Sequence, residues 1–324
     1  MRWNPLIRSQ APVVAILLAL VSTVTFATKD PLPSPNPAPR VFDTSGAAYV
    51  ADTIFVTPDR RDQFVACLRA RARRHWARLR DNGLLADVSV FETTKMRLTT
   101  GRVGWNFLIL SHLRPGVSPA QFFDSADNAL HSSAGGVCTA ARGVEVRRIE
   151  ALRPTPKSSY PRTSEADDRE ARDRKVAFIV EYIAVDDTPA ALNQYRESMG
   201  QNMGPAMGLM IPEQTYFQLL ALETEQVKYS QKDAPSWNQI HIRGFYPEKG
   251  ADPEEMPLAL RRVNSSAGRD FFADLNKIRT MPREDEARQL YELAIRRPQR
   301  PLCRGHLEEA DGALSTTSRY LNEP

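Results

Sequence analysis

The sequence predicts an α+β protein in which one β-α-β-β-α-β unit is used twice in tandem. Three short landmarks recur in the same order about 130 residues apart, and such spacing is typical of an internal repeat. Each copy also alternates strand-like and helix-like periodicity in the same order. The landmarks are a Trp-Asn pair that begins an apolar run (105–106 and 237–238), a Ser-Ser-Ala-Gly segment (132–135 and 265–268) and a short apolar strand (52–56 and 181–185).

The first 27 residues have the layout of a secretory signal peptide. Arg2 and Arg8 precede a short apolar stretch, and the small residues Thr25 and Ala27 suit the positions before a cleavage site. The apolar stretch is shorter than the roughly 20 residues of a membrane span; an uncleaved anchor is the alternative interpretation. We therefore expect a periplasmic or secreted protein with no membrane span after signal cleavage.

The segment 28–45 has proline at many alternate positions, so it can neither pair in a sheet nor continue a helix, and we expect an extended tether. The formal net charge is +4. Removing Arg2 and Arg8 lowers it to about +2, which is too small to indicate a nucleic-acid partner by itself. We expect no nucleic acid, a small-molecule ligand, and a monomer or homodimer.

The first unit is expected at 46–152. Alternation predicts a strand over 49–56, and Thr57, Pro58 and Asp59 are typical of a helix start. Asn82-Gly83 ends that helix. Strands are expected at 85–91 and 105–113, a second helix at 118–131 and a last strand at 143–152. The first helix carries an apolar stripe at spacings of three and four residues, made of Phe64, Leu68, Ala72, Trp76 and Leu79.

A proline-rich and highly charged segment, 153–175, is predicted to be a mobile linker to the second unit, 176–300. That unit repeats the order with a strand at 176–185, a helix from 187, strands at 216–222 and 237–245, and a helix at 253–265. The following residues predict helices at 271–278 and 284–295, so the last strand has no clear place; 315–321, within the C-terminal tail 301–324, is a late candidate. The order in each unit is the ferredoxin-like arrangement.

The helix over 64–82, with Trp76 near its end and Gly83 before a strand, resembles the dimeric α/β-barrel superfamily. That superfamily includes antibiotic-biosynthesis-type monooxygenases, EthD-like proteins and stress-response barrels. The resemblance covers most of both units and implies two ferredoxin-like sheets that close face to face around a small-molecule cavity. In a tandem chain the two units would form an intramolecular barrel-like pseudodimer. It also implies a cofactor-independent oxidation or isomerisation, hence no cofactor.

Strand faces follow from alternation along 237–245. We expect the aliphatic face, with Ile240 and Ile242, to meet the helices. The mixed aromatic and polar face is then left for the barrel interior, where it would resemble the lining of a ligand site. The expected ligand-binding residues on this face and its counterpart in the first unit are Trp105, Phe107, Trp237 and Gln239.

His241 and Arg243 are the candidate catalytic pair, because they lie two positions apart on one strand face. Arg243 could hold a carboxylate or enolate oxygen while His241 moves a proton near neutral pH; the alternative is that both are surface groups. Asp52 and Glu181 match across the repeats and are further ligand-binding candidates. A carboxylate in a closed interior would have a raised pKa, and the alternative is a strand edge or an arginine partner.

The chain has three cysteines. Cys67 lies in a helical pattern and is interpreted as a small buried apolar residue. Cys138 and Cys303 lie in loop-like sequence, so they are the expected disulfide in an exported protein, although other pairings stay open. The histidines show no metal-binding spacing, and we expect no metal site.

The first helix is also rich in arginine. We interpret this as a solvated helix face, and contact with an anion or a membrane surface is the alternative. The residues are Arg69, Arg71, Arg73, Arg74, Arg78 and Arg80.

Two functions are therefore expected. The leading one is binding of a small apolar or aromatic ligand in the barrel, with a monooxygenase- or isomerase-like reaction implied by the resemblance. The competing one is a non-catalytic periplasmic structural or interaction protein whose barrel is filled by side chains. A packed interior around Trp105 and Trp237 would favour the second hypothesis.

Overall fold

Eight antiparallel strands close into a barrel in the computed structural model, which describes residues 46–101, 104–126, 138, 142–160, 169, 172–211, 216–247, 255–264 and 271–294. The predicted signal peptide, tether, C-terminal tail and late strand, together with both Ser-Ser-Ala-Gly segments, lie outside these residues. Within the described part of the chain, no helix is long and apolar enough to span a membrane.

The strands run around the barrel in the order β1-β3-β2-β8-β5-β7-β6-β4, and every neighbouring pair is antiparallel. The first four strands form the order 4-1-3-2 and the last four form 8-5-7-6. The halves meet where β2 pairs with β8 and β4 pairs with β6. This α+β barrel is compatible with a ferredoxin-like pseudodimer. The strands are β1 (Tyr49–Val56), β2 (Leu85–Thr99), β3 (Phe107–Leu113), β4 (Val144–Pro154), β5 (Ala177–Val185), β6 (Tyr216–Ser230), β7 (Gln239–Phe245) and β8 (Arg279–Gln289).

The helices cover the outside of the barrel in two layers. The first layer is α1 (Arg61–Cys67), a π turn and α2 (Arg73–Asp81), together with α3 (Pro119–Ala126). The predicted apolar stripe of that first helix is confirmed, since all five of its residues are buried against the sheet. The second layer is α4 (Pro189–Ser198), a π turn, α5 (Gly204–Met210), α6 (Glu255–Val263) and α7 (Phe271–Leu275).

The recurring asparagines extend the sheet at matched places. The Asn106 side chain donates to the carbonyl of Val56 at 2.8 Å and accepts from the Val56 N–H at 2.8 Å. Asn238 makes the same two bonds, both 2.8 Å, with Val185. Each amide therefore replaces a strand residue at the end of β1 or β5. This pairing explains why asparagine follows tryptophan in both copies.

The helix predicted at 284–295 is wrong, because β8 (Arg279–Gln289) occupies its first half. The apolar alternation that marks a strand is missing since β8 carries charges on both faces. Arg283 and Asp285 are buried and pair with each other, whereas Glu284 and Glu286 pair with Arg97 on the outside. Partnered charges made a buried strand look like a polar helix.

The predicted mobile linker, 153–175, is wrong for its first residues. Arg153 and Pro154 end β4, and the strap 155–160 then lies along β6. Thr155 N–H donates to the Ala221 carbonyl at 2.9 Å, and the Ser159 hydroxyl accepts from the Ala221 N–H at 3.1 Å. Small hydroxyl residues have little apolar surface but satisfy backbone groups, so composition alone misses their burial.

The predicted Cys138–Cys303 disulfide is wrong, because Cys138 is bonded to Cys67. Cys303 lies outside the described residues. Cys67 is half-buried at the end of α1, and Cys138 is buried in the core of the same helix layer. The helical pattern around Cys67 predicts a packing residue, but its sulfur is bonded to a cysteine 71 positions away in the sequence.

We expect peptide mapping under non-reducing conditions to find Cys67 linked to Cys138. Replacing Cys67 by serine should lower the free energy of unfolding by about 2–4 kcal/mol, since the bond closes a long loop. Cys303→Ser is the matched control and should leave both the cross-link and the stability unchanged. A Cys138–Cys303 peptide would contradict the structure.

Replacing Asn106 or Asn238 by alanine should lower the free energy of unfolding by about 1–3 kcal/mol each, because two partly buried backbone groups lose their partners. Urea denaturation measures the change. Asn193→Ala removes an exposed side chain that contacts Arg196 and should stay close to the wild type. If none of the three substitutions changes the free energy of unfolding, the side chains of Asn106 and Asn238 do not bridge the strand ends.

Candidate functional site

The centre of the barrel is occupied by a cluster of aromatic rings. The ring centroids of Trp105 and Trp237 are 4.9 Å apart, and the centroid of the Tyr182 ring lies 4.8 and 5.1 Å from theirs in T-shaped contacts. The three residues are only 1–2% exposed. The structure therefore brings the two predicted ligand-binding tryptophans together, but against each other. The surrounding buried side chains come from all eight strands: Tyr49, Ala51, Phe91, Leu108, Leu110, Leu152, Phe178, Val180, Leu220, Leu222, Ile240, Ile242 and Ala287.

A buried ion pair holds Trp237. The Arg148 guanidinium lies 4.3 Å from the centroid of the Trp237 ring, and its Nη2 donates to the Trp237 carbonyl and to Glu150, both at 2.8 Å. Glu150 also accepts from the indole N–H at 2.7 Å and from the Thr224 hydroxyl at 2.7 Å. Burial raises the pKa of Glu150, against the opposing effect of Arg148. Trp237 is thus fixed by the ring contact with Arg148, by the indole N–H bond to Glu150 and by the Arg148 bond to its carbonyl.

A related arginine–acid pair lies beside Trp105, although Asp285, unlike Glu150, accepts no hydrogen bond from the indole N–H. The Arg283 guanidinium lies 4.1 Å from the centroid of the Trp105 ring and donates to the Trp105 carbonyl and to Asp285, the latter at 2.8 Å. Asp285 accepts from the Thr93 hydroxyl at 3.2 Å. Burial raises the pKa of Asp285, and Arg283 opposes that rise. Both halves of the barrel therefore clamp one tryptophan with an arginine, an acid and a threonine.

These four charged residues are not among the predicted site residues, although the sequence contains a pattern that marks them. Arg148 and Glu150 stand two positions apart on β4, and Arg283 and Asp285 stand two apart on β8. An Arg-x-acid pattern at the end of each copy is a fourth recurring landmark. The pattern marks a strand pair only once β8 is known to be a strand.

The predicted faces of β7 are inverted in the structure. Ile240 and Ile242 belong to the barrel interior, whereas His241 points to the helix layer, where its Nε2 lies 3.1 Å from the Tyr195 hydroxyl. Alternation fails at Trp237 because this residue precedes the strand and the bridging Asn238 separates them. The prediction places the aliphatic face of β7 against the helices. In the structure that face lies in the barrel interior, because the closed interior is itself apolar.

Phe107 and Gln239, the two other aromatic and polar residues predicted to line the barrel, also lie on the opposite face of their strands. Phe107 packs in the first helix layer, with its ring centroid 5.0 Å from that of Phe64. Gln239 is fully buried, and its Oε1 accepts from the Thr155 hydroxyl at 3.4 Å. Neither side chain belongs to the apolar cluster of the barrel interior.

His241, Arg243 and Glu181 form a polar network beneath α4. Arg243 donates to Glu181 at 2.7 Å, and the His241 Nδ1 lies 3.6 Å from the other Glu181 oxygen. Burial alone would raise the pKa of Glu181, but Arg243 and His241 lower it to about 2. Burial lowers the pKa of His241, with Glu181 acting against it. The network is therefore an ionised acid held by arginine beside a neutral histidine, and the expected raised pKa of Glu181 is wrong.

Asp52 is fully buried at the matching position of β1, opposite Ile109 on β3. Because β1 and β5 lie four places apart in the ring of strands, Asp52 and Glu181 do not share a site. The first unit has Phe64 and Ser111 where the second has Tyr195 and Arg243. The polar network thus has no equivalent of the same composition in the other half.

A cavity of about 330 Å³ lies on the outside of the barrel between β4 and the end of β6. Its lining combines apolar and polar side chains: Glu145, Val146, Ile149, Tyr229 and Gln231. Among the residues that the structure describes, no three His, Cys, Asp or Glu side chains are grouped to hold a metal ion.

No protein-family model matches this chain, and no curated protein matches it. Solved structures with a similar arrangement include a protein from Lactobacillus acidophilus named as a monooxygenase (9% identity, 75% of this chain and 94% of that chain, TM-score 0.42) and a chlorite dismutase from Candidatus Nitrospira defluvii (13%, 76% and 93%, 0.40). A dyp-type peroxidase protein from Shewanella oneidensis is similar at 9% identity over 76% of this chain and 94% of that chain, with a TM-score of 0.41. Likeness at these scores gives no basis for assigning a reaction to this chain.

Replacing Glu181 by glutamine should lower the free energy of unfolding at pH 7 by about 2 kcal/mol, since Arg243 loses its ionised partner. The pKa of Glu181 is about 2 in the folded protein and 4.5 in its reference state, so its contribution is complete above pH 4.5 and is lost as the pH falls towards 2. The difference in the free energy of unfolding between E181Q and wild type should therefore become smaller as the pH falls from 4.5 to 2.

Urea denaturation at several pH values measures this effect. Glu225→Gln, which changes an exposed acid on β6, is the control and should follow the wild type. A constant difference between E181Q and wild type from pH 7 to pH 2 would contradict the assigned ion pair.

Proposed function

We propose that this protein is a non-catalytic interaction protein, exported to the periplasm or beyond, built on a filled barrel of two tandem ferredoxin-like units. One observation carries the proposal: the Trp105–Trp237 contact occupies the place where a barrel ligand would bind. A ligand pocket of the usual kind has about 300–1,000 Å³ of open space. The function then lies on the outer surface.

The interior is also costly to open. A ligand that displaced Trp237 would remove the indole N–H from Glu150 and the ring from Arg148. Buried charges that lose partners are strongly unfavourable. Displacing Trp105 would likewise remove its ring from the Arg283 guanidinium. Rotating either tryptophan aside is therefore a poor route to a binding site.

The tandem pseudodimer is supported by contacts that recur in both halves. Asn106 and Asn238 bridge equivalent strand ends, and each half has an arginine over a tryptophan. Closure within one chain also pairs every strand on both sides. Because no sheet edge is left open in the barrel, a second copy is not needed to complete it.

His241 and Arg243 are better suited to structure than to catalysis in this proposal. The imidazole is 4% exposed and contacts Tyr195 and Glu181 on either side. A reaction there would require α4 to move away from the sheet. We therefore assign the pair the role of holding Glu181 under the helix layer.

Small-molecule binding outside the barrel is the second candidate function. The cavity between β4 and β6 favours it, because its volume of about 330 Å³ falls within the range of ligand pockets. Val146, Ile149 and Tyr229 would contact an apolar ligand, and Glu145 and Gln231 would supply polar contacts. This candidate keeps the expected ligand class but moves its site out of the barrel.

The filled interior is tested by Trp105→Ala. We expect a loss of about 3–5 kcal/mol in the free energy of unfolding, since truncation leaves a cavity. Indole should then raise the melting temperature of the variant and leave that of the wild type unchanged. Trp105→Leu, which leaves a smaller cavity, replaces the alanine variant if the latter fails to fold.

Stabilisation of the wild type by small aromatic compounds would contradict the filled interior. If small aromatic compounds stabilise the wild type and Trp105→Ala abolishes that effect, the interior is a ligand site and the proposal is wrong. Tyr229→Ala is the matched variant for the outer cavity: loss of ligand stabilisation there alone would support the second candidate instead.

A further inference from the structure

The first helix layer carries an arginine-lined groove on its outer side. The arginine groove has a volume of about 300 Å³. Arg69, Arg73 and Arg74 are exposed, and Arg80 is half-buried. The lining residues are Arg69, Arg73, Arg74, Ala77 and Arg80. Four guanidinium groups thus border a space the size of a small ligand.

Packing of the helix does not require these arginines. The helix that follows β5, over 189–210, packs on the barrel in the matching place with a single arginine, Arg196, which pairs with Glu223. The apolar stripe of the first helix is on its other side, against the sheet. The charge of the groove is therefore a property of one half alone and is not part of the architecture.

The arginines also oppose helix stability. Arg69 and Arg73 are four positions apart, as are Arg74 and Arg78, and like charges at this spacing repel. The only acids between 61 and 81 are Asp62 and Asp81, at the two ends, where they pair with Arg61 and Arg80. Positive charge consequently accumulates in the middle of the helix, at the groove.

We propose that the arginine groove binds the phosphate group of an anionic ligand. Arginine presents a planar fork of donors that matches phosphate oxygens in pairs, and the sequence between 61 and 81 contains seven arginines and no lysine. The volume of about 300 Å³ suits one phosphorylated group. A soluble phosphate compound and a lipid headgroup present the same chemistry to Arg73 and Arg74.

This inference goes beyond the proposed function and does not depend on it. The groove lies on the outside of the π turn and α2, so it would persist whether the barrel is filled or hollow. A failed Trp105 experiment would overturn the filled barrel only. Failure of the binding experiment below would overturn the arginine groove only.

The experiment uses the folded chain from residue 28 onward. Two probes are tested for binding to it. Inorganic tripolyphosphate is titrated by calorimetry, and phosphatidylcholine vesicles with and without phosphatidylglycerol are used in co-sedimentation. The double variant Arg73→Gln/Arg74→Gln removes two groove residues. The control Arg71→Gln/Arg78→Gln removes the same charge from the same helix outside the groove lining.

We expect the groove variant to weaken binding about tenfold or more and the control to weaken it less than about twofold, since two charge-assisted hydrogen bonds are lost only in the former. Binding of tripolyphosphate alone identifies a soluble ligand, and binding of vesicles containing phosphatidylglycerol identifies a lipid headgroup; either supports the proposal. Equal losses in the two variants indicate diffuse surface charge and overturn it, as does the absence of binding to both probes. Unchanged melting temperatures show that both variants are folded.

Discussion

The contact between Trp105 and Trp237 is the interaction on which the rest of the structure depends. The two rings come from opposite halves of the chain and meet in the middle of the barrel, so neither half can bury its own tryptophan alone. Arg148 and Arg283 cover their outer faces. A tryptophan pair of this size contributes more through burial than through the ring contact itself. Closing the barrel is therefore what makes the buried charges tolerable.

Features that recur in the two halves serve the architecture, and features that differ are free to serve function. The asparagine bridges and the arginine-acid clamps recur. The network of His241 with Tyr195 and the arginine groove do not. The first of these is enclosed beneath a helix, whereas the groove is open to solvent. Binding at an outer surface is consistent with the contact between the Trp105 and Trp237 rings inside the barrel.

Much of the fold could be predicted from the sequence, because helices that bury one stripe and strands with simple alternation obey local rules. The stripe from Phe64 to Leu79 is an example. The site could be predicted only in part. Trp105 and Trp237 were identified, but the face of His241 depends on a break in alternation before β7. The strand β8 could not be predicted from local pattern either. Its buried Arg283 is tolerated only because Asp285 pairs with it.

The most direct measurement of the central claim is a crystal structure of the wild-type chain under xenon pressure. Xenon enters apolar cavities that are dry and large enough to hold it. A filled barrel predicts no xenon density between Trp105, Trp237 and Tyr182, with the rings in contact as described. Xenon bound among these three side chains, or separated indole rings with a cavity between them, would contradict the account.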